Sequence, residues 1–176
     1  MDLYRLAVTG VNEHGTLSAI HTEFLHFGVD PGTAHFGLAA ITNAGIEAWE
    51  LDFSKCLPDG VVDRLHLIYQ VFGQIAELSI AGRNRIFVQG MRAVVEGASY
   101  GDVNGQVDLA HSRAAMILAL SARFQQIETS IVAPGTIRKA VLDHGHAKPQ
   151  DAWAEVLPSN AANALACALY SYQQEN

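Results

Sequence analysis

The spacing of apolar and polar residues changes several times along this chain, and each change marks an element. Glu23–Asp30, "EFLHFGVD", is a mostly apolar run too short for a helix, closed by an acid and the turn "PGT"; it predicts a buried strand. "FGLAAIT" predicts a second strand, "NAG" (Asn43–Gly45) a hairpin turn and the alternating "IEAWELDF" a third strand, together an antiparallel meander. From Val61 to Ile80 apolar residues recur at helical spacing, with Pro58 and Asp59 as start signals and Gly82 as a stop. "RIFVQG" reads as a short buried strand ending at Gln89, and the Gly-rich "EGASYGDVNGQ" as a loop. "VDLAHSRAAMILALSARF" is a second long helix, "ETSIVAP" a strand, "GTIRKAVLDHG" a short helix and "GHAKPQDAW" a polar loop or helix start. Ser159 opens the closing helix as its N-cap. Ahead of these, "YRLAVTGV" fits a strand or a loosely attached arm.

Three hairpin strands followed by alternating helices and strands predict an α/β fold of ribonuclease H-like arrangement. Its mixed five-stranded sheet joins the three-strand antiparallel meander to parallel strands, with helices on both faces. A chain of 176 residues without repeats or linkers fits one domain, read as an N-terminal extension over 1–22 and a folded unit over 23–176. No apolar run reaches the roughly 20 residues of a membrane span, and "MDLYRLAVTGVNEHG" lacks a signal-peptide pattern. Cys56 and Cys167 offer neither a disulfide framework nor metal-ligand spacing, which favours a reducing, cytoplasmic setting; Cys167 sits among apolar helix residues as a small core residue. The net charge of −7 argues against nucleic-acid binding unless a local basic patch provides it.

Three stretches carry candidate chemistry. "GVDPGT" ends a strand with Asp30, which could hold a divalent cation or simply begin a turn in which Pro31 fixes φ. A D-x-G-T turn also cradles phosphate in actin-like and sugar-kinase ATPases, but those need a second phosphate loop and a much longer chain. "IFVQGM" ends its strand with Gln89, by itself a polar strand-end residue. "LPSNAANALACALY" places Asn160 and Asn163 three apart, hence on one helix face; capping accounts for asparagine in a first turn but not for the shared face.

In their order these stretches resemble the RuvC family of Holliday-junction resolvases over Phe27–Tyr170. "FGVDPGTAHFGLAAI" is similar to the family's opening strand and hairpin, "IFVQGM" to its strand ending in Glu, and "VDLAHSRAAMILAL" to its second helix. "VAPGTIRKAVLDHGHAKPQ" is similar to its basic segment with a Lys-x-Gln, and "NAANALACAL" to D-A-A-D-A-L-A at the start of the last helix. The resemblance implies a structure-selective endonuclease acting on branched DNA, four-way junctions above all. It would be a cytoplasmic or nucleoid-associated homodimer paired through the second helix, with a four-carboxylate site binding two Mg²⁺ (or Mn²⁺) ions. In such a site the metals lie roughly 3.5–4 Å apart and stabilise an in-line displacement at phosphorus.

Carried over position by position, the site is Asp30, Gln89, Asn160 and Asn163. Three of the four are amides with the shape of the expected acids, so metal binding is expected to be weak and cleavage impaired. Glu96, Asp102 and Asp151 match no family position and read as solvated loop residues; His144 and His146 form only a weak zinc signal. Phosphate contacts fall to Arg92, Arg138, Lys139 and Lys148, with Arg83 and Arg85 nearby. Three readings follow: a nuclease deliberately inactivated at its metal ligands, a natural pseudonuclease that binds branched DNA or a protein partner, and a nuclease with an atypical metal site.

Overall fold

A computed structural model describes residues 4–8, 24–42, 45–55, 58–81, 90–97 and 103–175; the side chains of 4–8, 78–81 and 103–105 are outside this description. The elements run β1 (Tyr4–Val8), β2 (Phe24–Asp30), β3 (His35–Thr42), β4 (Gly45–Asp52), α1 (Val61–Ala81), β5 (Gly90–Glu96), α2 (Val103–Arg123), β6 (Ile127–Val132), α3 (Pro134–Leu142), α4 (Pro149–Ala152) and α5 (Ser159–Gln173). The sheet order is β1-β4-β3-β2-β5-β6. β2, β3 and β4 form the expected antiparallel meander, and β5 and β6 add in parallel beside β2. The sheet holds the expected mixed arrangement, but its parallel strand beside β2 is Gly90–Glu96 and not the expected "RIFVQG", of which only Gly90 is among the described residues. β1, from the segment that fitted either a strand or an arm, extends the sheet by pairing antiparallel with β4.

Strand side chains alternate between faces, and this sorts the chain into three layers. Leu25, Phe27 and Val29 of β2, with Phe36, Leu38, Trp49, Ala93 and Val95, bury against Ile68 and Phe72 of α1 and Met116 and Leu120 of α2. The alternate positions Ala39, Ile41, Ala48 and Val94 pack against α5 and α3 through Ala161, Leu165, Ala166, Cys167 and Ile137. His26, Gly28 and Asp30 of β2 share this second face, as do Arg92 and Glu96 of β5. Parity alone thus decides that Asp30 looks toward α5.

Two glycines set how closely α5 approaches. A Cβ at Gly28 would stand 1.9 Å from the carbonyl oxygen of Ala164, and one at Gly37 would stand 1.9 Å from that of Asn160. Gly37 is the cross-strand partner of Asp30. The first turn of α5 therefore lies directly over the end of β2. Cys167 is fully buried as expected, and burial, with Glu96 and Asp30 nearby, raises its thiol well above the usual range. Cys56 and the Asn43–Ala44 turn residues lie outside the described residues, although β4 opens on Gly45 with a positive φ of 131°. No helix among the described residues is long and apolar enough to cross a membrane.

Candidate functional site

The site lies where the C-terminal ends of β2 and β5 meet the N-terminal end of α5. Parallel pairing carries Phe24 opposite Gly90 and Val29 opposite Val95, so the residue beside Asp30 at the strand end is Glu96. This corrects the sequence reading in two ways. Glu96 is not a solvated loop acid but the last residue of β5, its side chain 14 % exposed and hydrogen-bonded to Asp30. The strand-end position expected at Gln89 belongs to Glu96: β5 begins at Gly90, at its far end from Asp30, and Gln89 lies outside the described residues. Asp30 and Glu96 are thus the two acids at these strand ends, and Asn160 and Asn163 lie on the helix above them.

Asn163 meets the acids directly. Its Nδ2 donates to Asp30 Oδ2 at 3.0 Å, while its Oδ1 is buried with no hydrogen-bond partner among the described residues. Asn160 is brought to the same place by its backbone: its carbonyl covers Gly37 and its N–H donates to Glu50 Oε2 at 2.9 Å. That second contact revises the capping expectation. Ser159 is the first helical residue, the N-cap is Pro158, and no side chain caps locally. Glu50, projecting from β4 on the α5 face, supplies the carboxylate that an exposed helix N-terminus favours.

Burial raises the Asp30 carboxyl well above the usual carboxylate range, with neighbouring Glu96 adding to the rise and Asn163 and Arg138 opposing it. Arg138, from α3, places Nη2 3.6 Å from Glu96 Oε1, an ion pair longer than a hydrogen bond. Its Nε is buried without a hydrogen-bond partner among the described residues. From the other side of the sheet, Arg113 of α2 donates Nε–H to the Glu96 backbone carbonyl at 3.0 Å. Two guanidiniums therefore reach one strand end from opposite faces. Sequence reasoning placed Arg138 but missed Arg113, whose only signal was a charge heading the apolar run "RAAMILAL".

The remaining basic candidates divide. Lys139 and Lys148 are exposed on α3 and just before α4. Arg92 is on the same face of β5 as Glu96 but four residues away; its guanidinium lies 4.1 Å over the Phe24 ring and 3.4 Å from Glu128. It belongs to the other end of the strand. Arg83, Arg85 and Asp102 lie outside the described residues, and Asp151 is an exposed residue of α4. His144 and His146 are exposed and pack ring against ring, His146 N–H donating to His144 Nδ1 at 3.1 Å.

A two-metal centre asks for acids that bridge and surround both cations. Among the described residues no three acids, histidines or cysteines converge to hold a metal. Asn163 presents an N–H donor to Asp30 where a cation would need an acceptor, and Arg138 already faces Glu96. These residues do not fit a two-metal cluster. They fit a centre in which the protein's own donors neutralise the two acids.

No family model and no curated sequence relative matches this chain. Among solved structures it is similar to Thermus thermophilus RuvC in complex with a Holliday-junction substrate, at 16% identity and a TM-score of 0.64, over 88% of this chain and 96% of that one. It is also similar to a second Thermus thermophilus RuvC structure, at 19% identity and a TM-score of 0.60, over 86% of this chain and 95% of that one. The chain has the ribonuclease H-like fold of the RuvC Holliday-junction resolvases across nearly its whole length.

Proposed function

We propose that this chain is a RuvC-like protein that binds branched DNA, four-way junctions in particular, and whose two-metal phosphodiester hydrolysis is lost or severely impaired. The observation that carries this reading is the donor set on a resolvase fold: Asp30 and Glu96 kept at the strand ends, Asn160 and Asn163 on the helix above them. Asp→Asn removes charge while keeping volume, so the fold and the surface that meets DNA survive while the acids that would gather Mg²⁺ or Mn²⁺ do not. Arg138 at the site, with exposed Lys139 next to it on α3 and exposed Lys148 before α4, would supply the local basic patch that a chain of net charge −7 needs.

The folded unit is read as 23–176, with 1–22 an extension whose strand β1 widens the sheet. A homodimer through α2 fits the outer α1–α2 face. There Val62 and Leu118 are exposed beside a groove of about 350 Å³ lined by Leu65, His66, Tyr69 and Ala114. A second reading, a module that binds a protein partner rather than DNA, is favoured by the acidic net charge.

Fluorescence anisotropy with labelled four-way junction and linear duplex at low salt separates the two. Tighter binding to the junction than to the duplex, without cleavage in Mg²⁺, is the expected result. Absence of junction binding sinks the DNA reading.

A further inference from the structure

Arginine in a folded protein normally satisfies its five N–H donors, and bidentate pairing with an oxyanion is its strongest use. Two arginines at the site converge on Glu96 without any such bidentate pair among the described residues. Arg138 has only a 3.6 Å ion pair with Glu96 and a buried Nε without a partner among the described residues. Arg113 is held by one bond, Nε to the Glu96 carbonyl at 3.0 Å, which sets its guanidinium at the strand end. The two come from opposite faces of the sheet, one on α3 and one on α2, and converge on the same residue.

From this convergence we infer that Arg138 and Arg113 receive a backbone phosphate of the bound nucleic acid directly, with no metal ion between protein and phosphate. The inference rests on the junction-binding reading and adds a specific contact to it. Four acids around a phosphate would repel it unless cations intervened. Here two guanidiniums reach Glu96, the amide of Asn163 occupies Asp30 and the α5 N–H of Asn160 occupies Glu50, so each acid already has a donor and an anion can be met without divalent ions. Glu96 holds Arg138 in place in the free protein, at a distance long enough for the guanidinium to turn to a better acceptor.

The test is junction binding by anisotropy across a salt series, in EDTA and in Mg²⁺, for the unmodified chain, Arg113→Ala, Arg138→Ala, Arg138→Gln and Arg123→Ala. Arg123, at the other end of α2 and 3.2 Å from Glu77, controls for loss of one positive charge. Thermal melts confirm that each variant is folded. The expected result is the same affinity in EDTA as in Mg²⁺ for the unmodified chain. Substitution at 113 or 138 should weaken binding about tenfold and lower the slope of log K against log salt by roughly one, with Arg123→Ala close to unmodified. A purely structural role would lower the melting temperature without moving the slope. If the unmodified chain binds junctions but needs Mg²⁺ to do so, or if substitution at 113 and 138 leaves affinity and slope unchanged, the inference is wrong while the junction-binding reading stands. If the unmodified chain does not bind junctions, that reading itself has failed and the inference goes with it.

Discussion

At its C-terminal end α5 is tied to β2 by a closed set of bonds, whereas at its N-terminal end the same helix meets the same strand with bonds left unmade. His26, fully buried, places Nε2 2.7 Å from Glu175 Oε2 and Nδ1 2.9 Å from Ser171 Oγ, with the Tyr172 ring edge-on at 5.7 Å. A carboxylate only accepts, so Nε2 carries the proton, and Nδ1 then accepts from the Ser171 hydroxyl. Over Asp30, in contrast, Asn163 Oδ1 and Arg138 Nε are both buried and unpartnered among the described residues. Buried polar groups are expected to be paired. The first end obeys that rule; the second breaks it, as Arg64 Nε, Arg123 Nε and Thr129 Oγ1 do elsewhere, and it coincides with the end at which we propose that DNA is met.

The two ends of α5 respond differently to substitution. Gly28→Ala puts a methyl group into the α5 backbone and should cost about 3 kcal/mol, roughly 10 °C in Tm, with junction binding lost alongside. His26→Ala strands Ser171 and Glu175 and should cost about 2–3 kcal/mol, read from chemical denaturation, while affinity at a temperature where the variant is folded stays near normal. If His26→Ala instead abolished binding without loss of stability, the closed end would be functional after all.

Metal sharpens the contrast at the open end. Mg²⁺ should leave the Tm of the unmodified chain within about 1 °C, but raise that of Asn160→Asp/Asn163→Asp by as much as the roughly 2.7 kcal/mol that a ligand at a hundred times its Kd provides. The smallest effect is in pH. Burial pulls His26 below its ordinary value of 6.5, against the opposing pull of Glu175. Both states are then neutral at that ring above about pH 6.5, and stability is level; as pH falls, the unfolded chain takes up the proton first and stability declines by at most about 1.4 kcal/mol per pH unit. Denaturant melts from pH 7.5 to 5.5 should show this decline, and His26→Gln should flatten it.

The element order was legible because it rests on local periodicity: meander, long helices and closing helix all stand where apolar spacing put them. The site was legible only in part. "IFVQG" and "AVVEG" are equivalent as sequence, each three apolar residues, a polar one and glycine, and nothing local says which polar residue stands beside Asp30. Register decides it, and register comes from pairing with β2. Glu50 caps a residue 110 positions away, and His26 bonds to one 145 positions away; such contacts follow from the folded sheet. Asn160 and Asn163 were found because i, i+3 spacing is a local signal that needs no register.

On the function proposed above, α5 supplies amides where phosphodiester hydrolysis would need acids. The direct measurement is Mg²⁺-dependent cleavage of a labelled four-way junction by Asn160→Asp/Asn163→Asp, with the unmodified chain alongside. The account predicts specific cleavage by the double variant and none by the unmodified chain. Cleavage by the unmodified chain, or a double variant that binds Mg²⁺ and junction yet never cuts, would contradict it.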